Sequence, residues 1–173
     1  MSYKVFRVEV AKWNATMNKQ LLILIIALLI AGFSMGLFAQ DWDRYKDNTV
    51  KEIISTAAKD YVLKDDYTID ALPVPFRAKV EYLGKHRVPS PEKMKVVNMW
   101  LIAHSQDPNF AGIYNNEVLV KEGGKKYWVL VQDSLFKEME EILRKGDSFW
   151  IYAQLWGAAK KKFVVLVFSW EEM

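Results

Sequence analysis

Beyond position 49 the apolar residues of the chain fall into two rhythms. Val50, Ile53, Ile54, Ala57, Ala58, Tyr61 and Val62 recur at helical spacing on one face, behind the cap-type residues Asp47, Asn48 and Thr49. This pattern predicts an amphipathic helix whose striped face is buried against the domain that follows. Residues 64–75 contain acids and two prolines and read as a connector. From Phe76 the period changes to two. Phe76, Ala78, Val80 and Tyr82 alternate with Arg77, Lys79 and Glu81, as in a half-exposed strand, which Gly84 is expected to end. A polar loop over residues 85–93 then leads to a predicted second strand, Met94 to His104, closed by the Asp107-Pro108-Asn109 turn. Glu117 to Val120, the Gly123-Gly124 turn and Lys125 to Gln132 read as a hairpin and a central strand.

A helix is predicted next. Asp133 or Ser134 caps it, Leu135, Met139, Ile142 and Leu143 share its face, and Glu138, Glu140 and Glu141 precede Arg144 and Lys145, with Gly146 just past the end. Ser148 to Trp156 and Lys162 to Trp170 are the final strands, joined by a turn over residues 157–161. The run from Phe163 to Phe168 suits a strand covered on both faces. The predicted class is mainly β with α, in the order β-β-β-α-β-β.

The amino-terminal part follows a different pattern. Residues 21–39, from Leu21 to Ala39, carry no charge, and at about 1.5 Å per helical residue they match the ~30 Å hydrocarbon core of a bilayer. Lys4, Arg7, Lys12 and Lys19 precede this run, and Asp41 and Asp43 follow it. That asymmetry predicts a cytoplasmic amino terminus and a domain outside. Two readings of the segment stand side by side: an uncleaved single-pass transmembrane anchor, or a signal peptide that starts at Met17, is cleaved after Ala39 and leaves an exported, periplasmic domain. The expected organisation is therefore a basic cytoplasmic n-region (1–20), a membrane or signal helix (21–39), an amphipathic helix with its connector (41–75) and a β-rich domain (76–173).

Charge belongs with topology. The formal net charge is +3, and residues 1–40 hold all of that excess, with Glu9 as their one acid. The remaining domain is neutral and offers polyanions no long-range attraction, which argues against nucleic acid as a partner. The absence of cysteine excludes disulfides, thiolate metal sites and cysteine nucleophiles. An aromatic content of 14%, with seven Trp, suits a folded, β-rich body.

The layout of five strands with a helix between the third and fourth resembles the OB-fold, a small Greek-key barrel. The local likeness lies in Leu143-Arg144-Lys145-Gly146-Asp147-Ser148-Phe149-Trp150-Ile151-Tyr152, where a helix end, the Lys145-Gly146-Asp147 turn and an alternating strand follow one another. It is most similar to the anticodon-binding-like group of OB domains, over about residues 76–170. The residues between Asp107 and Val120 exceed a minimal barrel. The resemblance implies a binding module whose ligands meet a strand face and the last hairpin loop.

On the fourth predicted strand Phe149, Ile151, Ala153 and Leu155 point one way, and Trp150, Tyr152, Gln154 and Trp156 the other. With the aliphatic set inside, Trp150, Tyr152 and Trp156 form an aromatic platform, the candidate binding face. Lys160, Lys161 and Lys162 fall where the last hairpin loop of an OB-fold would be, and Lys125-Lys126 mark another turn. A calcium-loop spacing through Asp41, Asp43, Asp47 and Glu52 fails at its centre, where Tyr45 and Lys46 replace an oxygen ligand and glycine. His86 and His104 read as surface or strand-end histidines. No catalytic signature is present, so neither catalytic residues, metal ligands nor a cofactor are expected. The expected function is a non-catalytic envelope binding module with a protein or other envelope component as partner. The alternatives are a single-stranded nucleic-acid-binding OB domain and an exported enzyme.

Overall fold

Residues 42–60, 67–160 and 162–173 are described by the computed structural model. The apolar segment 21–39, the basic residues before it, Tyr61, Val62 and Lys161 lie outside the described residues. Among the described residues no helix is long and apolar enough to cross a membrane. Residues 42–173 form one unit, mainly β with helices, built on a seven-stranded sheet.

The strands are β1 (Lys46–Asp47), β2 (Tyr67–Ile69), β3 (Pro75–Arg87), β4 (Asn116–Glu122), β5 (Lys125–Val131), β6 (Ser148–Ala159) and β7 (Lys162–Glu172). Their order is β1-β3-β4-β5-β7-β6-β2, and β3 also pairs with β6, so the pairings β3–β4–β5–β7–β6 return to β3. Neighbours in this circuit are antiparallel except β5 and β7, which meet in parallel at Leu130–Leu166 and Val131–Val167.

Strand β3 serves two neighbours because it bends. Residues 75–81 pair with β6 and residues 81–87 with β4, with a register shift between Tyr82 and His86. Gly84 sits in the shift at φ +65°, a conformation that glycine adopts without steric cost. Gly84 was expected to end this strand; it bends it instead. The Tyr82 N–H donates to Asp147 O and the Gly146 N–H to Tyr82 O, each at 2.8 Å, which ties the Lys145-Gly146-Asp147 turn to the bend.

Helix α1 (Val50–Asp60) follows the predicted stripe: Val50 and Ala57 are buried, and Ile53 and Ile54 pack against the same core, whereas Ala58 is exposed. Its start is held twice. Thr49 Oγ1 accepts from the Glu52 N–H at 3.0 Å, and the Glu122 carboxylate, from the end of β4, accepts from the N–H groups of Val50 (2.9 Å) and Lys51 (3.1 Å).

The predicted strand from Met94 to His104 is instead a helix, α2 (Pro91–Ala103). Pro91 occupies the first turn with Glu92 beside it, a position where a missing N–H costs nothing. Lys93, Val96, Val97 and Leu101 are its buried residues, at helical spacing. A 3₁₀ turn (Pro108–Ile113) follows, its first turn capped by Asp107, whose Oδ1 accepts from the Asn109 N–H at 2.9 Å.

Helix α3 (Asp133–Ile142) lies where it was expected, with two local differences. Gln132 is the cap, and Asp133 accepts from the side-chain amides of Asn115 (2.8 Å) and Asn116 (2.9 Å) instead. Phe136, Met139 and Leu143 are buried, whereas Ile142 is exposed.

Two apolar clusters share the sheet. One joins the inward residues of β3–β7 with α1 and α3; the other joins α2, Ala111, Tyr114 and the opposite face of β5–β7. Strand β7 gives Val165 and Val167 to the first and Val164 and Leu166 to the second, so the apolar run is covered on both faces as its sequence predicts.

Candidate functional site

The aromatic face expected on β6 is divided. Phe149, Ile151, Ala153 and Leu155 are buried inward, and Trp150 and Tyr152 are half-buried on the other side. The strand slips register against β7 between Leu155 and Gly157 and runs on to Ala159, past the predicted Gly157 turn, and Lys160 is the first turn residue. Trp156 is 3% exposed beneath α2, stacked on Trp100 at 3.8 Å between ring centroids with 15° between the planes. It is a core residue and no part of a platform with the other two.

Trp150 and Tyr152 are themselves engaged. The Arg77 guanidinium lies 4.4 Å from the Trp150 ring centroid and 6.0 Å from that of Tyr152. Its Nε donates to Asp47 Oδ1 at 2.8 Å, and this contact with Asp47 holds the guanidinium in its charged form. The Tyr152 hydroxyl donates to Glu171 at 2.7 Å, and the rings of Trp42 and Tyr45 close over it at 4.6 and 5.5 Å. Of the carboxylates in the calcium-loop spacing, that of Asp47 is thus engaged by the Arg77 guanidinium, and that of Glu52 accepts from the Thr49 hydroxyl at 3.0 Å.

Lys160 and Lys162 flank the β6–β7 turn and are exposed, Lys160 at φ +47°. Lys162 reaches a groove that the sequence reading did not single out. Strands β5 and β7 separate below their parallel junction, leaving about 440 Å³ lined by Ile54, Arg87, Lys93, Lys126, Tyr127, Trp128, Lys162, Phe163 and Val165. Four of these side chains are cationic and none is acidic.

The wall of the groove is built on a buried charge. Glu117 is fully buried on β4 and receives Arg87 Nε at 2.7 Å and the Lys93 ammonium. Lys93 comes from the first turn of α2, is 5% exposed, and also donates to Trp128 O at 3.3 Å. Burial pushes the Lys93 pKa down, against the opposing pull of Glu117. The Arg87 guanidinium lies 4.1 Å over the Trp128 ring, half-exposed, so one face of the groove is an ordered cation on an indole. The Tyr127 hydroxyl finds no hydrogen-bond partner among the described residues.

Neither the protein-family models nor the curated proteins compared with the chain give a match. The case for the groove is therefore its own chemistry. One buried carboxylate organises two cations, and the remaining lysines face solvent beside aromatic rings. Such a set attracts an anion and offers flat apolar contact beside it. Among the described residues its lining contains neither a carboxylate nor an imidazole. Glu117 carried the signal in the sequence: an acid next to Val118-Leu119-Val120 in a strand must be paired when buried.

His86 is exposed, 3.7 Å from Glu140, and its ring meets Phe136. His104 stacks on Trp100, with Nδ1 2.8 Å from Trp100 O and Nε2 2.8 Å from Ala71 O. These two carbonyls, Ala71 first, raise its pKa.

Proposed function

We propose that residues 42–173 are a non-catalytic, OB-like binding module of the cell envelope, placed outside the membrane by residues 21–39, and that it takes a protein or other anionic envelope component in the groove between β5 and β7. The carrying observation is the groove's lining: Arg87, Lys93, Lys126 and Lys162 around Tyr127, Trp128 and Phe163, with the buried Glu117 locked between two of those cations. The barrel reading is supported by the five-strand circuit with α3 between its third and fourth members. The domain's overall neutrality does not oppose an anionic ligand, because over a Debye length of about 8 Å the local cations dominate. Trp150 and Tyr152, held under Trp42, Tyr45 and Arg77, are then the support of the 42–47 segment.

The test is photocrosslinking in cells that make the full chain, with a benzophenone amino acid at Lys162 or at Tyr152. A cysteine at Lys125, unique in this cysteine-free chain, reports sidedness through a membrane-impermeant maleimide. The reading expects discrete adducts from position 162, none from 152, and labelling of intact cells. Adducts from position 152 alone return the site to the β6 face. A chain labelled only after lysis overturns the envelope reading.

A further inference from the structure

Among the described residues the groove contains a strand edge without a ladder partner. Strand β5 meets β7 only at Leu130 and Val131, so from Lys125 to Val129 its described ladder partner is β4 alone. The hairpin between them turns on Gly123-Gly124, so Glu122 and Lys125 close it as a hydrogen-bonded pair. In an antiparallel ladder such pairs alternate with non-bonded ones, which places Lys126 opposite Lys121, and Trp128 opposite Leu119, in the non-bonded class. The backbone N–H and C=O groups of Lys126 and Trp128 therefore face away from β4, into the split. Lys93 Nζ, 3.3 Å from Trp128 O, meets a carbonyl directed that way.

A strand edge of this kind is a template for another extended chain. Its two sides differ in chemistry. Lys126 and Trp128 stand on one face of β5, with Arg87 over the indole; Tyr127 stands on the other, against the interior cluster that Ile54 and Phe163 also join. A strand laid along this edge presents alternate side chains to the same two environments.

We propose, resting on the groove reading, that the occupant is an extended peptide segment that adds as a strand along Lys126–Trp128, with acidic residues toward Lys126, Arg87 and Lys162 and apolar residues, in alternation, toward Tyr127 and Phe163. Backbone bonding to Lys126 and Trp128 supplies register, and the cations select the charge pattern. A nucleic acid shares the charge but has no row of amides to offer the edge.

The experiment uses the full chain in detergent micelles and a fluorescent peptide alternating glutamate and valine over about ten residues. Three controls accompany it: a version interrupted by proline at alternate positions, a lysine–valine version, and an oligothymidylate of similar length. Anisotropy gives affinity, and hydrogen exchange of the Lys126 and Trp128 amides gives the mode. The inference expects the acidic peptide alone to bind, slower exchange at both amides, and affinity lowered about tenfold by a Lys126→Glu, Lys162→Glu variant. Lys126→Pro removes the cleft-facing donor while leaving the β4 ladder its bonds, and weakens binding without reversing charge. Equal binding of the proline-interrupted peptide, or binding that leaves both amides unprotected, overturns strand addition. Binding of oligothymidylate in place of the peptide overturns the peptide partner and leaves the groove standing. If no probe binds and no groove signal moves, the groove reading fails as well.

Discussion

Glu117 holds two cations that would otherwise lack a counter-charge at the base of the groove, and its own burial is complete. Replacing it with glutamine leaves Lys93 enclosed without an anion. The expected loss is about 3 kcal/mol, the usual cost of breaking one side of a buried pair, read from urea unfolding followed by tryptophan fluorescence. A Lys93→Met, Glu117→Leu double variant should recover much of that loss, since neither charge then remains; a single variant as stable as the parent would show that water reaches the pair. His104 offers a pH-dependent counterpart. Both ring nitrogens face carbonyls, so the imidazolium donates twice and the neutral ring only once. The folded pKa is raised above 6.5, so the stabilisation is complete below about pH 6.5 and fades as pH rises through the raised value. An NMR titration should place the His104 midpoint above the ordinary value, and His104→Gln should flatten the stability profile in that window. A midpoint at or below 6.5 would mean that the Ala71 contact does not form in solution.

Elements were legible where one physical rule acted alone. The α1 stripe from Val50 to Ala57, the alternation that begins β3 and the unbroken apolar run of β7 each carry one dominant signal, and each lies where the sequence predicts it. The residues of α2 carried two signals. Val96, Val97, Trp100 and Ile102 favour strands by residue type, whereas the start at Ser90-Pro91-Glu92 and the spacing of Val96, Val97 and Leu101 favour a helix, and burial on the sheet decides for the latter. The groove was illegible for another reason: Arg87, Lys93 and Trp128 come from three separate elements, and only the fold brings them to one wall. The close packing of β6 on β2 gives a test at this scale. Gly157 sits at φ +151° against β2, and a Cβ there would lie 2.1 Å from Thr68 O. Gly157→Ala should therefore displace β2 from β6, with faster amide exchange at residues 67–69 and little change in β3–β5. Unchanged exchange would show that the edge is held by α2 rather than by this pairing.

At the scale of the whole molecule the two apolar clusters are not independent, since β7 alternates between them residue by residue. Met139→Ala in one cluster and Leu166→Ala in the other should each cost about 3 kcal/mol. Both should lower a single transition in which strand circular dichroism and the fluorescence of the stacked Trp100–Trp156 pair move together. Two separated transitions would mean that α2 and its cluster melt from an intact sheet. The shared strand also bears on how the chain is made. A ribosome emits β7 after every other described strand, and the closing contacts of β5 with β7 join residues far apart in sequence. Neither cluster can be completed while β7 is still unsynthesised, so every described strand made before it waits with one side of its core open, and the domain closes only once β7 has emerged.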